Sequence, residues 1–182
     1  METYDVVLLV EQELSQTDAQ QVWSLHQGIH EDADQTVRYH VLLPFEDAAS
    51  RIETSMGTLS GGDLMGAPAF ALDDVDLDAV RQESVRQAQR HLAATIERFT
   101  ALGVETDGEL VSESPVGRLK SKIEEVDGRE AIILTQPHVV AEFFHVDWSS
   151  QARRKLGVPV LHLLEHETFD QQAGEGEGIH GF

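Results

Sequence analysis

Two rhythms alternate along the chain, continuous apolar runs of strand length and longer stretches with apolar residues every three or four positions. YDVVLLV (4–10) is apolar on both pleats, as a strand buried on both faces requires. Ser15 with Asp18 three residues on is a variant of the capping box. It opens a helix whose apolar positions are Val22, Trp23, His26 and Ile29. VRYHVLLPF (37–45) reads as a second strand, ended at Pro44 or just after it. The longest helix runs from Leu77 to Leu102. Val85, Ala88, Leu92, Ile96, Phe99 and Leu102 step by threes and fours to a stop at Gly103.

VETDGELV (104–111), the most polar of the strands, is expected at a sheet edge. Ser114 followed by Pro115 is an N-cap with a first-turn proline. Val116, Leu119, Ile123 and Val126 form the next apolar stripe, closed by Gly128. AIILT (131–135) is short and apolar, hence central. A helix is expected over 138–156, and VPVLHLL (158–164) is the fifth strand. Residues 46–78 keep no sustained period and read as a surface excursion. Their glycine-rich part lacks GK[ST], so a phosphate-binding P-loop is not supported. The Gly/Glu-rich tail, 169–182, reads as disordered. Strands alternating with helices imply an α/β domain over 1–168, with a parallel sheet covered on both faces. Ligands of such sheets lie at the carboxyl ends of strands, here after Val10, Leu43 and Thr135.

Charge narrows the partners. The 182 residues carry a net charge of −20, with sixteen acidic and two basic residues in 1–80 and seventeen and eleven in 81–182. Such a field repels nucleic acid and anionic membranes. With no cysteine there is no disulfide, thiolate nucleophile or cysteine-based zinc site. The acidic start, METYDVVLLVEQELS, has no signal-peptide character, and no run is long enough to span a bilayer, so a cytoplasmic location is the expectation.

The ordered series LLVEQELSQTDAQQV, HLAATIERFTALGVETDGELVSESPVGRLKSKIEE, DGREAIILT and SSQARRKLGVPVLHLL resembles the universal stress protein family over residues 4–164. The resemblance implies a three-layer α/β sandwich with a five-stranded parallel sheet in the order 3-2-1-4-5. It also implies a homodimer formed through the last strand, with Val158, Val160 and His162 at the contact. Family members that bind ATP carry Gly-x2-Gly-x9-Gly-Ser/Thr after the fourth strand, because backbone N–H groups must approach phosphate oxygens unobstructed. Laid on this chain, that spacing falls on Thr135, His138, Trp148 and Ser149: the hydroxyl is kept and all three glycines are replaced. Glu11 stands near the family's acidic residue after the first strand.

The leading expectation is a non-catalytic stress-response or regulatory protein with a degenerate nucleotide cleft and no cofactor. The alternative is an ATP- or AMP-binding protein whose modified cleft uses Val10, Glu11, Ser114, Thr135, His138, Trp148, Ser149 and Ser150. A further alternative is an adenine-nucleotide hydrolase-like enzyme, although no Ser/His/Asp arrangement or G-x-S-x-G elbow stands out. His138, His145 and Asp147, and the pair His162 and His166, read as polar groups at a cleft rim or sheet edge, not as metal ligands. Phe143, Phe144 and Trp148 read as filling the volume that phosphates would take.

Overall fold

The computed structural model describes residues 2–31, 34–45, 76–112, 114–135 and 156–164. In chain order these form β1 (Glu2–Val10), α1 (Gln16–Leu25), α2 (Gln27–His30), β2 (Gln35–Pro44), α3 (Leu77–Ala101), β3 (Glu105–Val111), α4 (Pro115–Val126), β4 (Glu130–Thr135) and β5 (Val160–Leu164). The five strands make one sheet in the order β3-β2-β1-β4-β5, every neighbouring pair parallel. This is the order expected from the sequence. The polar strand β3 is at one edge and β5 at the other.

β1 lies at the centre, with Val6 level with Tyr39 on one side and Glu130 on the other. Its residues Val6–Val10 are buried on both pleats, which explains the unbroken apolar run. On one face Val6, Leu8, Val10, Tyr39 and Val41 pack against Ala19 and Val22 of α1 and Leu92 and Phe99 of α3. On the other, Val7, Leu9, Leu42 and Ile133 pack against Leu119 and Ile123 of α4 and against Leu156. Burying one such side chain stabilises the fold by about 1.5–3 kcal/mol, so these two layers dominate its energetics.

Local signals hold with instructive exceptions. Ser15 and Asp18 form a reciprocal capping box: Asp18 N–H donates to Ser15 Oγ and Ser15 N–H to Asp18 Oδ2. The helix it opens ends one turn early, at Leu25, because His26 turns its ring into the core; Ile29 lies on the separate short α2. α4 ends in a left-handed residue, but Asp127 (φ 51) takes that place where Gly128 was expected. Gly128 N–H then donates back to Ile123 O at 2.8 Å. β5 pairs only from Val160, since Pro159 has no N–H and contributes its carbonyl alone, to Ala131 N–H at 2.9 Å.

Polar side chains inside the sheet are bridged across strands. His40 on β2 is held by a carboxylate at each ring nitrogen: Nε2 is 2.8 Å from Asp5 Oδ1 on β1, and Nδ1 is 2.9 Å from Asp107 Oδ1 on β3. Side-chain exposure is 4% for His40, 15% for Asp5 and 58% for Asp107. Asp5 therefore depends on His40, whereas Asp107 has water to fall back on. Replacing His40 with leucine strands the Asp5 carboxylate and is expected to cost about 2–4 kcal/mol. Asp107→Asn keeps an amide oxygen that accepts from Nδ1–H and should cost less than about 1 kcal/mol. Urea unfolding of the two variants measures both, and equal losses would contradict this division of labour.

Candidate functional site

The site lies at the carboxyl ends of β1 and β4, at the centre of the sheet where the strand order reverses. β1 finishes in the fully buried Val10, and Glu11 is the first residue of the turn. Its N–H donates to Leu134 O at 3.2 Å, which draws the turn over β4. Because Val10 is level with Leu134, Glu11 lies beside Thr135 at the end of β4. The loop beyond is pinned to α3 twice. Leu14 N–H donates to the buried Thr95 Oγ1 at 3.1 Å, and Arg98 Nη2 donates to Glu13 Oε1 at 2.6 Å.

Thr135 is nearly buried, and its hydroxyl lies 2.7 Å from His162 Nε2 on β5. His162 is level with Ile133 and Thr135 with Leu164, so the two side chains meet diagonally on the face that carries α4. Burial pushes the imidazole below its ordinary value of 6.5, because an imidazolium here gives up hydration. Near neutral pH the ring is uncharged and exchanges a hydrogen bond with the threonine. The pair forms a polar floor to the cleft without adding positive charge.

Ser114 begins α4 in the left-handed region (φ 30), and its Oγ accepts from Gly117 N–H at 3.3 Å. A Cβ on Gly117 would come within 2.8 Å of that oxygen, so the tight cap requires glycine at this position. Ser114 follows β3, two strands from β1, and is not brought together with Glu11 and Thr135 by the strand order. Four residues on, Arg118 holds Glu109 through Nε and Nη2 and Glu125 through Nη1 (2.6 Å). These forked bonds raise the guanidinium's pKa further and lower that of Glu125. Arg98 and Arg118, the arginines described near this end, thus each hold carboxylates of the chain itself.

Of the expected site residues, Val10, Glu11 and Thr135 converge, and Ser114 stands apart. His138, Trp148, Ser149 and Ser150 lie outside the described residues. So do His145, Asp147, His166, Phe143, Phe144 and the 138–155 part of the expected helix, as well as residues 46–75 of the excursion and the tail. Residues 76–78 of the excursion carry the Asp76 cap and first turn of α3. Among the described residues no group of three or more His, Asp or Glu side chains is arranged to hold a metal ion. No described helix is long and apolar enough to cross a membrane.

A universal stress protein from Archaeoglobus fulgidus superposes with a TM-score of 0.51 at 13% identity, over 89% of this chain and 94% of that one. The hypothetical protein MJ0577, whose biochemical function was assigned from its structure, gives 0.53 at 10% identity over 91% and 99%. A universal stress protein family protein from Arabidopsis thaliana, solved with AMP bound, gives 0.50 at 10% identity over 90% and 92%. The chain has the universal stress protein fold. No protein-family model and no curated protein matches the sequence. At such identities the likeness is one of architecture, and the site's chemistry rests on this chain's own residues.

The Thr135–His162 pair escaped the sequence reading, which placed Thr135 in the cleft and His162 at a dimer contact. Their alternation within AIILT and VPVLHLL puts each on a defined pleat, but only the β4–β5 register makes them neighbours. A second cluster, around His26 and Glu130 at the opposite end of the sheet, was also not singled out. The lowered pKa of His162 has a consequence for stability. Below pH 6.5 the unfolded chain takes up the proton before the folded one does, so stability falls with acidification until the folded-state value is passed. His162→Gln cannot titrate and should lose less stability than the parent between about pH 7 and pH 5. Urea midpoints across that range test this, and parallel curves for the two proteins would refute it.

Proposed function

We propose that this chain is a non-catalytic regulatory protein of the universal stress type, whose carboxyl-end cleft no longer holds a nucleoside triphosphate. One observation carries the reading: residues 129–156, which follow the start of β4 and would have to supply the phosphate cradle, contain no glycine. A cradle made of backbone N–H groups needs positions without side chains, and His138 and Trp148 stand where the bare positions belong. The Glu11 carboxylate at the mouth adds repulsion to a triphosphate, and Arg98 and Arg118 already hold carboxylates. If a ligand with a dissociation constant near 10 µM bound, 1 mM of it would add about 2.7 kcal/mol and raise the melting temperature by several degrees. We expect no such shift with magnesium-ATP, and mass spectrometry of the native protein to release no ATP. A shift of that size would overturn the reading.

The second reading, a binder of a less charged nucleotide, is favoured by the AMP-bound Arabidopsis protein of the same fold. A carboxylate at Glu11, acceptor only and anionic, is suited to a ribose hydroxyl or a base amino group rather than to phosphates. The same titration with AMP separates it from the first.

The regulatory role we propose is exercised as a homodimer paired along β5. That strand is a sheet edge carrying the exposed Leu161, and an unpaired apolar edge invites strand addition. Val158 and Val160 pack inward against the α4-face core and His162 bonds to Thr135, so the contact would be made by backbone pairing along β5, with the Leu161 side chain left on the face that carries α1. Leu161→Lys should convert the protein to a monomer in analytical ultracentrifugation. Identical sedimentation of parent and variant would count against pairing through this strand.

A further inference from the structure

At the amino ends of β1, β4 and β5, opposite the cleft just described, lies a groove of about 390 Å³. That volume lies within the range of small-molecule sites. Its polar wall is a hydrogen-bonded chain running outward from the core. Tyr39 is fully buried, and burial together with the Glu130 carboxylate holds its phenol far above the ordinary value of 10.0, so it stays a donor. Its hydroxyl lies 2.8 Å from His26 Nδ1, and His26 Nε2 lies 2.7 Å from Glu130 Oε1. Nδ1 faces both the Tyr39 hydroxyl and the Val22 carbonyl (3.2 Å), and Nε2, facing a carboxylate, is the donor to Glu130. Tyr4 hydroxyl donates to the other oxygen, Oε2, at 3.3 Å.

The carboxylate is thereby held from behind by two donors, one of them on an imidazole only 3% exposed. A carboxylate has about four acceptor positions, so two remain for a molecule in the groove. The other wall is apolar and built from Ile29, Pro159 and Val160, with Leu25 and Leu161 left 37% and 39% exposed. Among the described residues no lysine or arginine lines the groove, and the nearby Arg129 is engaged by Glu2 Oε1 at 2.7 Å. Holding the α1–α2 corner on the sheet needs His26 and Tyr39, but it does not account for an oriented acid facing two uncovered leucines.

We propose that this groove is a binding site for a small primary amine, with the ammonium on Glu130 and an apolar body against Leu25 and Leu161. The ammonium suits the site because it supplies donors only, to a carboxylate that offers acceptors only, and because the net charge of −20 favours cations. The proposal is independent of any nucleotide chemistry at the carboxyl ends of the strands.

Titration of the full chain with benzylamine, benzyl alcohol and benzoate, followed by two-dimensional NMR, tests it. Benzylamine should shift the methyl signals of Leu25 and Leu161 with a dissociation constant on the order of a millimolar, about tenfold tighter than benzyl alcohol, while benzoate should not bind. Glu130→Gln should reduce benzylamine affinity to that of the alcohol. Leu161→Arg, which leaves the Tyr39–His26–Glu130 chain intact, should abolish binding by both filling the groove and repelling the cation, even if Glu130→Gln proves too unstable to study. Equal affinity for amine and alcohol, no methyl shift up to about 10 mM, or unaltered binding in Leu161→Arg would each overturn the assignment.

Discussion

A parallel sheet buried on both faces forces every polar side chain within it to find a partner inside the protein. Water cannot serve these groups, and an unpaired buried donor or acceptor costs about 1–3 kcal/mol. β1 lies at the centre of such a sheet, and three polar bridges on and beside it show the rule at work. Asp5 is met by His40, Glu130 by His26 and Tyr4, and Thr135 by His162. Each bridge joins different elements, so the polar groups tie together strands and helices far apart in sequence. The apolar layers supply most of the stability, while these bridges select one arrangement of the layers.

The Thr135–His162 pair closes the carboxyl end with an uncharged hydrogen bond. The Tyr39–His26–Glu130 chain opens the amino end with an oriented acid. At nearly the same level on the opposite face, Asp5–His40–Asp107 runs sideways to the edge strand β3. The two ends of one sheet therefore present different chemistry, a neutral polar floor and an anionic acceptor. Glu11 adds a carboxylate at the carboxyl end, while Glu13 pairs with Arg98, and Glu109 and Glu125 with Arg118.

Periodicity located the elements because strand and helix patterns are local. Val85 to Leu102 marked α3, Ser15 with Asp18 marked α1, and the apolar run 4–10 marked the central strand. The strand order followed from the family resemblance. What local pattern could not reveal was which residues become neighbours through register. His40 reads as one polar residue in VRYHVLLPF, and nothing near it in sequence names Asp5 and Asp107. Thr95, a polar residue between Leu92 and Ile96, is wholly buried, and its hydroxyl accepts from Leu14 N–H of another loop. The site was partly legible for the same reason. Val10, Glu11 and Thr135 follow from strand ends, whereas Ser114 was grouped with them although the expected strand order already sets β3 two strands from β1.

The bridge from Asp5 through His40 to Asp107 links positions drawn from the beginning, the first quarter and the middle of the chain. Side chains on a strand change face with every residue, so a slip of one position in β2 would turn His40 onto the α1–α3 face, away from both acids. Contacts of such long sequence separation form only once the intervening chain has been closed into place. The histidine thus ties register to charge in the two inner strands: with β2 slipped by one position, the Asp5 carboxylate would stay in the sheet without its partner, while Asp107 on the edge strand would still meet water.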